Sequence, residues 1–219
     1  MSDLSVAEWV SYLFDHPVTD PAWHFDVDSP YLQVDAERAA ELIAETFEAS
    51  GTLLAPFTDA QLNQGFWFLV SPGNSGYMCC LTAPSVAWST KQRVLRSFVP
   101  LFRDVMAARC SPVLRHLDES GSSTLNSACF MWWDLLPLDE SDGPEALPAS
   151  MRGEVLAVLS ELLEIPHDAC QESALHGLGH WALWHAEARG VIERFIDRSE
   201  GLRVELVAYA RMARTGCIL

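Results

Sequence analysis

The chain has 219 residues, 49% of them hydrophobic and 20% charged, a composition that excludes a largely disordered protein. Its formal net charge is -16, from 30 acidic and 14 basic side chains. We therefore expect no binding to nucleic acid or to an anionic membrane surface, because both partners need a dense cationic face.

Apolar residues recur with the spacing of a helix along most of the chain, which predicts helices rather than strands. In the first half, the predicted helices cover Val6–Phe14, Asp35–Ser50, Gln61–Val70 and Ser89–Ala108. Asp35 and Asp59 are suited to cap two of them, and Pro100 is expected to kink or split the last. Prolines and aspartates between 15 and 31 predict an irregular segment at 1–34, followed by a helical core at 35–219.

The second half contains further predicted helices, at 122–136, Met151–Leu163, 168–188, 190–199 and Leu202–Arg214. An acidic loop bearing proline and glycine is expected at Leu138–Pro148. The short apolar segment Tyr77–Ala83 fits either a helix or a strand. Together these patterns predict a single all-α domain over 1–219, with roughly nine helices in an α-solenoid-like array or an irregular bundle.

The stretch 170–185 holds three of the seven histidines. On a helix, Glu172, His176 and His180 share one face. Histidines at positions i and i+4 can hold one metal ion, and Glu172 can act as a third ligand or a base. The sequence thus offers a candidate divalent-metal site at His176, His180 and Glu172. Gly177, however, stands where the zinc-protease motif H-E-x-x-H has its glutamate.

The glycines at 177 and 179 indicate a second explanation for the same helix. Each costs roughly 1 kcal/mol of helix propensity relative to alanine. Close approach of another helix to the bare backbone can offset that cost. On this alternative, His176 and His180 are packing or surface residues without a metal.

The run Ala174-Leu-His-Gly-Leu-Gly-His180 resembles the second helix of short HEAT-like repeats of the phycobilisome-lyase type. The resemblance covers about 30 residues around Ser173–His180, and 122–136 is at best a degenerate second copy. It implies a HEAT-like α-solenoid, a class of fold whose concave surface usually binds other proteins.

Tryptophans and charges predict where a partner could bind. Adjacent tryptophans on a helix point in different directions, so one of Trp132 and Trp133 can line a groove or an interface. Trp184 and Glu187 follow the repeat-like run Ser173–His180 in the sequence, and Arg103 lies in a cationic stretch at 88–115. These five residues form the predicted binding surface.

The favoured hypothesis is a non-catalytic, cytoplasmic protein without a cofactor that binds another macromolecule, most simply a protein. Cysteines within apolar runs and an N-terminus without signal-peptide features favour the cytoplasm. One alternative is a small metal-dependent enzyme built on His176 and His180 with a nearby glutamate. Another is a small-molecule-binding protein with a pocket lined by tryptophans. The candidates for that lining are Trp132, Trp133, Trp181 and Trp184.

Overall fold

The computed structural model describes residues 4–138 and 147–218. Within these ranges every regular element is helical, which confirms the all-α prediction, and eleven helices replace the predicted nine. None of the helices in the described ranges is long and apolar enough to cross a lipid bilayer. Most of the predicted acidic loop, residues 139–146, lies outside the described residues.

Two compact units contain the described residues. The first comprises the described part of Met1–Val105 together with Leu135–Pro137. The second comprises the described parts of Met106–Asp134 and Leu138–Leu219. No sequence pattern indicates this division, and the single domain over 1–219 stays a prediction.

The first unit is built on five α-helices. They are α1 (Val6–Phe14), α2 (Ala36–Glu48), α3 (Ser50–Leu53), α4 (Asp59–Val70) and α5 (Trp88–Leu101). Short 3₁₀ turns cover Trp23–Phe25 and Tyr77–Leu81, so the ambiguous apolar segment is helical and not a strand. As expected from Pro100, the α-helix ends at Leu101, and a π-helical turn follows at Phe102–Met106.

Local capping explains where several of these helices begin. Asp35 caps α2 by accepting a hydrogen bond from the Arg38 N–H, as predicted. The cap of α4 is Thr58, one residue before the predicted Asp59, in a capping box with Gln61.

One close helix crossing lies in this unit, where α4 packs on α1. A Cβ atom added to Gly65 would lie 2.6 Å from the carbonyl oxygen of Leu13 and would overlap the Phe14 ring. Glycine therefore permits this crossing.

The second unit contains the remaining α-helices of four residues or more, although Leu135, the last residue of one of them, is assigned to the first unit. They are α6 (Leu125–Phe130), α7 (Trp132–Leu135), α8 (Ala149–Leu163), α9 (Asp168–Ala182), α10 (Ala186–Asp197) and α11 (Val204–Ala213). Two predicted boundaries are wrong. The predicted helix at 122–136 is interrupted at Met131, and the predicted helix at 168–188 ends at Ala182. Gly190, where the predicted helix 190–199 begins, lies inside α10.

Helix α9 is the centre of this unit, since it packs against α6, α8, α10 and α11. Every residue from Ala169 to Ala182 is buried except His180. Polar side chains on such a helix need partners. Gln171 Nε2 donates to the Leu163 carbonyl of α8 at 3.0 Å, and Ser173 Oγ donates to the Cys129 carbonyl of α6 at 2.5 Å. The polar residues of α9 thus bind it to its neighbours.

The glycines of α9 lie at close contacts, as their sequence pattern indicates. A Cβ atom at Gly177 would lie 2.6 Å from the Trp133 ring. At Gly179 it would overlap Ile218 and lie 3.4 Å from the backbone of Ala213, at the end of α11. Both positions therefore favour glycine through packing.

A salt bridge supports the 3₁₀ turn Arg115–Leu117 and the start of α9. Arg203 donates hydrogen bonds to Glu119 and to Asp168, and Glu119 also accepts the Leu114 N–H at 2.8 Å. The Arg203 hydrogen bonds, followed by that of Leu114, lower the pKa of Glu119 to about 2.

This lowered pKa predicts how stability depends on pH. Glu119 contributes stability above its ordinary pKa of 4.5 and loses that contribution as the pH falls toward its folded pKa of about 2. At pH 7, Glu119→Gln is therefore expected to have a lower thermal midpoint than the wild type. The difference should narrow as the pH falls from about 5 to 2. Glu200→Gln, at an exposed glutamate, is the control. A constant difference across this range would contradict the assignment.

Candidate metal centre

Three metal-binding side chains converge in the second unit. His176 and His180 lie one turn apart on α9, and Asp134 comes from α7. Asp134 Oδ2 is 2.8 Å from His176 Nε2, and its Oδ1 is 2.8 Å from His180 Nε2. The three potential ligand atoms all lie within 4.8 Å of one another.

The buried histidine of this group is oriented by a second partner. His176 Nδ1 lies 2.7 Å from the hydroxyl oxygen of Tyr209, on α11. Burial, followed by the negative charges of Glu172 and Asp134, raises the pKa of Tyr209, so its hydroxyl stays protonated. The Tyr209 hydroxyl oxygen can accept a hydrogen bond from Nδ1–H, which would leave the Nε2 lone pair available to a metal ion bound beside Asp134. Metal-binding histidines are commonly held through their other nitrogen in this way.

The carboxylate of Asp134 is held in its ionised form. Burial disfavours the charged form of Asp134, but the two neighbouring imidazoles outweigh that effect and hold the pKa of its carboxyl well below the usual range. The His176 ring is buried, and among the described residues its Nε2 makes no aligned hydrogen bond despite its proximity to Asp134. A metal ion between the two would satisfy this nitrogen.

Two imidazole nitrogens and one carboxylate form a ligand set suited to Zn²⁺ and to other divalent transition metals. Ligand atoms bonded at about 2.0 Å in a tetrahedral site lie about 3.3 Å apart, so each 2.8 Å pair would open by about half an ångström. The His180 side chain is 43% exposed, which leaves one side of the group accessible to water. Three protein ligands with an open position are typical of catalytic zinc sites.

The residues predicted for the metal site separate in the structure. His176 and His180 lie together, but Glu172 lies outside the group and is fully buried elsewhere. Its carboxylate accepts hydrogen bonds from the backbone N–H groups of Arg115 and His116. Asp134 takes the place that the sequence pattern suggested for Glu172.

The predicted binding-surface residues also differ in exposure. Trp132 is fully buried and Trp133 is 9% exposed, so neither side chain presents an exposed binding surface. Trp184 is 53% exposed, and Glu187 is exposed on α10. Arg103, in the first unit, is exposed and forms an ion pair with Asp104.

Sequence reasoning missed Asp134 and Tyr209 as members of the site. Asp134 lies 46 positions before His180, and Tyr209 lies 33 positions after His176. No local motif connects residues at such separations. The one available signal in the sequence was Asp134 itself, an acidic residue directly after two adjacent tryptophans.

Comparison with known proteins gave no match to a family model, a curated protein or a solved structure. The HEAT-like resemblance around Ser173–His180 therefore stays a prediction. Function must be inferred from the geometry and chemistry of the residues themselves.

Proposed function

We propose that this protein binds one divalent transition-metal ion through Asp134, His176 and His180. The convergence of two imidazole nitrogens and one carboxylate within 4.8 Å carries this proposal. It is supported by Tyr209, which fixes the orientation of the His176 ring, and by the unaligned, buried Nε2 of that ring. Zn²⁺ is the ion that best suits this ligand set when one position stays open.

A metal ion with an open position would make the protein a small metal-dependent enzyme. Zn²⁺ held by three protein ligands lowers the pKa of a bound water to about 7 and thereby supplies a hydroxide nucleophile at neutral pH. The exposed edge of His180 is where this water and a substrate would approach. Glu172 lies outside this group of ligands, so the proposal assigns it no role as the base.

The test is metal binding by untagged protein that has been stripped with a chelator. We expect one equivalent of Zn²⁺ per chain in equilibrium dialysis, and one equivalent of Co²⁺ with the visible absorption of a low-coordinate site. His180→Ala and Asp134→Asn should each weaken Zn²⁺ binding by at least about 100-fold. Tyr209→Phe removes only a supporting group and should weaken it by about 10- to 100-fold.

Asp197→Asn is the matched control for Asp134→Asn, because Asp197 is an exposed aspartate at the end of α10. It should bind Zn²⁺ with wild-type affinity. Failure of the wild type to bind Zn²⁺ or Co²⁺, or equal affinity in His180→Ala, would show that the three side chains form only a hydrogen-bonded cluster.

The earlier hypothesis of a cytoplasmic, HEAT-like protein that binds another protein stays a prediction. Its remaining support is the turn between α9 and α10, where Leu183 is 61% exposed and Trp184 is 53% exposed. Aromatic side chains such as that of Trp184 are enriched at protein interfaces. The pocket lined by tryptophans has less support, since Trp132, Trp133 and Trp181 are all buried.

A further inference from the structure

A second group of polar side chains lies in the same unit, outside the metal centre. Glu172 is fully buried on α9, and its carboxylate accepts three hydrogen bonds. Two come from the backbone N–H groups of Arg115, at 2.8 Å, and His116, at 3.0 Å. The third joins Glu172 Oε1 to Nδ1 of the His116 ring at 2.6 Å. The 3₁₀ turn and the central helix thus hold a carboxylate–imidazole pair.

This arrangement selects one tautomer of His116. A carboxylate can only accept a hydrogen bond, so Nδ1 carries the proton and Nε2 of the neutral ring has a free lone pair. The ring stacks on Tyr209 with centroids 4.2 Å apart, which restricts its rotation. Among the described residues, Nε2 of His116 has no hydrogen-bond partner, and it is not enclosed by protein atoms. The nitrogen is therefore a fixed base that solvent can reach.

His116 lines two cavities, of about 320 Å³ and about 270 Å³. The larger is mainly apolar, and its walls are His116, Leu117, Glu205, Ala208, Tyr209 and Met212. Its volume lies at the lower end of the range for small-molecule sites. A small, uncharged and largely apolar molecule is the ligand that fits these walls.

We propose that His116 and Glu172 form a second reactive centre, which hydrolyses small apolar esters in the larger cavity. His116 Nε2 takes a proton from a water molecule while the water oxygen bonds to the ester carbonyl carbon. The bond from that carbon to the alcohol oxygen then breaks, and the imidazolium gives its proton to the departing alkoxide. One acid and one alcohol leave. Glu172 stabilises the transient imidazolium and keeps the ring oriented, as the acidic member of a triad does.

The experiment is hydrolysis of 4-nitrophenyl acetate in the presence of a chelator, so that a metal ion cannot contribute. Wild-type protein should release 4-nitrophenolate, and His116→Ala should reduce the rate by about 100-fold. Added imidazole should restore part of the rate in His116→Ala, because it can occupy the vacated space beside Tyr209. His116→Asn, which keeps more of the side-chain volume, replaces His116→Ala if the alanine variant folds poorly. It should be equally slow.

The cavity provides a matched pair of variants. Ala208→Phe fills the larger cavity from the exposed side of α11 and should slow hydrolysis, whereas Ala186→Phe, at an exposed alanine outside the cavity, should not. Wild-type rates in both folded His116 variants would overturn the proposal. The Zn²⁺ measurements remain an independent test of the proposed function.

Discussion

Glu172→Gln is expected to lower the free energy of unfolding by about 2–4 kcal/mol. The carboxylate is fully buried and accepts three hydrogen bonds from Arg115 and His116. A glutamine of the same shape has one acceptor oxygen and one NH₂ group. The NH₂ group must face at least one of these donors, so a buried hydrogen bond is lost and two donors oppose each other.

Urea denaturation, followed by circular dichroism and tryptophan fluorescence, measures this effect. Glu187→Gln is the matched control: the same substitution at an exposed glutamate on the neighbouring helix α10, expected within about 0.5 kcal/mol of the wild type. If both variants unfolded at the same urea concentration, Glu172 would not hold the 3₁₀ turn against α9.

Gly65→Ala is expected to destabilise the protein by about 2–3 kcal/mol. The added Cβ atom would lie 2.6 Å from the Leu13 carbonyl oxygen, which belongs to the backbone of α1 and cannot move aside as a flexible side chain can. The two helices would have to separate, with loss of the packing between Gly65 and the Phe14 ring.

Gly153→Ala provides a control of opposite sign. Gly153 lies inside α8, and nothing lies within 4 Å of the position its Cβ atom would take. Alanine there should raise the free energy of unfolding by about 0.5–1 kcal/mol through helix propensity alone. Thermal and urea unfolding of both variants test the pair. A stable Gly65→Ala protein would show that α1 and α4 tolerate a wider separation.

Local sequence signals predicted most of the helices because those signals act within a few residues. The helix Val6–Phe14 was predicted with the bounds that the structure shows, and its start is fixed by a capping box between Ser5 and Glu8. Asp35 likewise caps α2 as predicted. In both cases the residues that define the helix end are neighbours in the chain.

The errors arise where tertiary packing decides the backbone. The break between α9 and α10 has neither glycine nor proline, yet His185 adopts an extended conformation with φ -118° and ψ 116°. Gly190 lies within α10 although glycine has a low intrinsic helix propensity, because tertiary packing can override that propensity. A helix buried on all sides also lacks the amphipathic pattern that would separate its core face from its surface face.

Only part of the candidate metal site could be predicted from the sequence, because local spacing determines some of its contacts and tertiary packing determines the others. His176 and His180 are one helical turn apart, so their proximity follows from the sequence. The third group depends on which helix packs against α9, and that choice brings Asp134 rather than Glu172 to the histidines. His116 and Tyr209 carried no local pattern, because each gains its role from a contact across the fold.

Gly177 links the packing of the second unit to its chemistry. Trp133 rests on Gly177 of α9, and the next residue after Trp133 is Asp134. Because Gly177 has no side chain, the Trp133 ring can lie directly on the backbone of α9. This close contact determines how near the Asp134 carboxylate comes to the His176 ring. In a helix that carries H-E-x-x-H, this position would bear the catalytic glutamate. Here position 177 serves the packing of α7 against α9, and the carboxylate of the site comes from Asp134 on α7. A bound metal ion would therefore cross-link two separate segments of the chain.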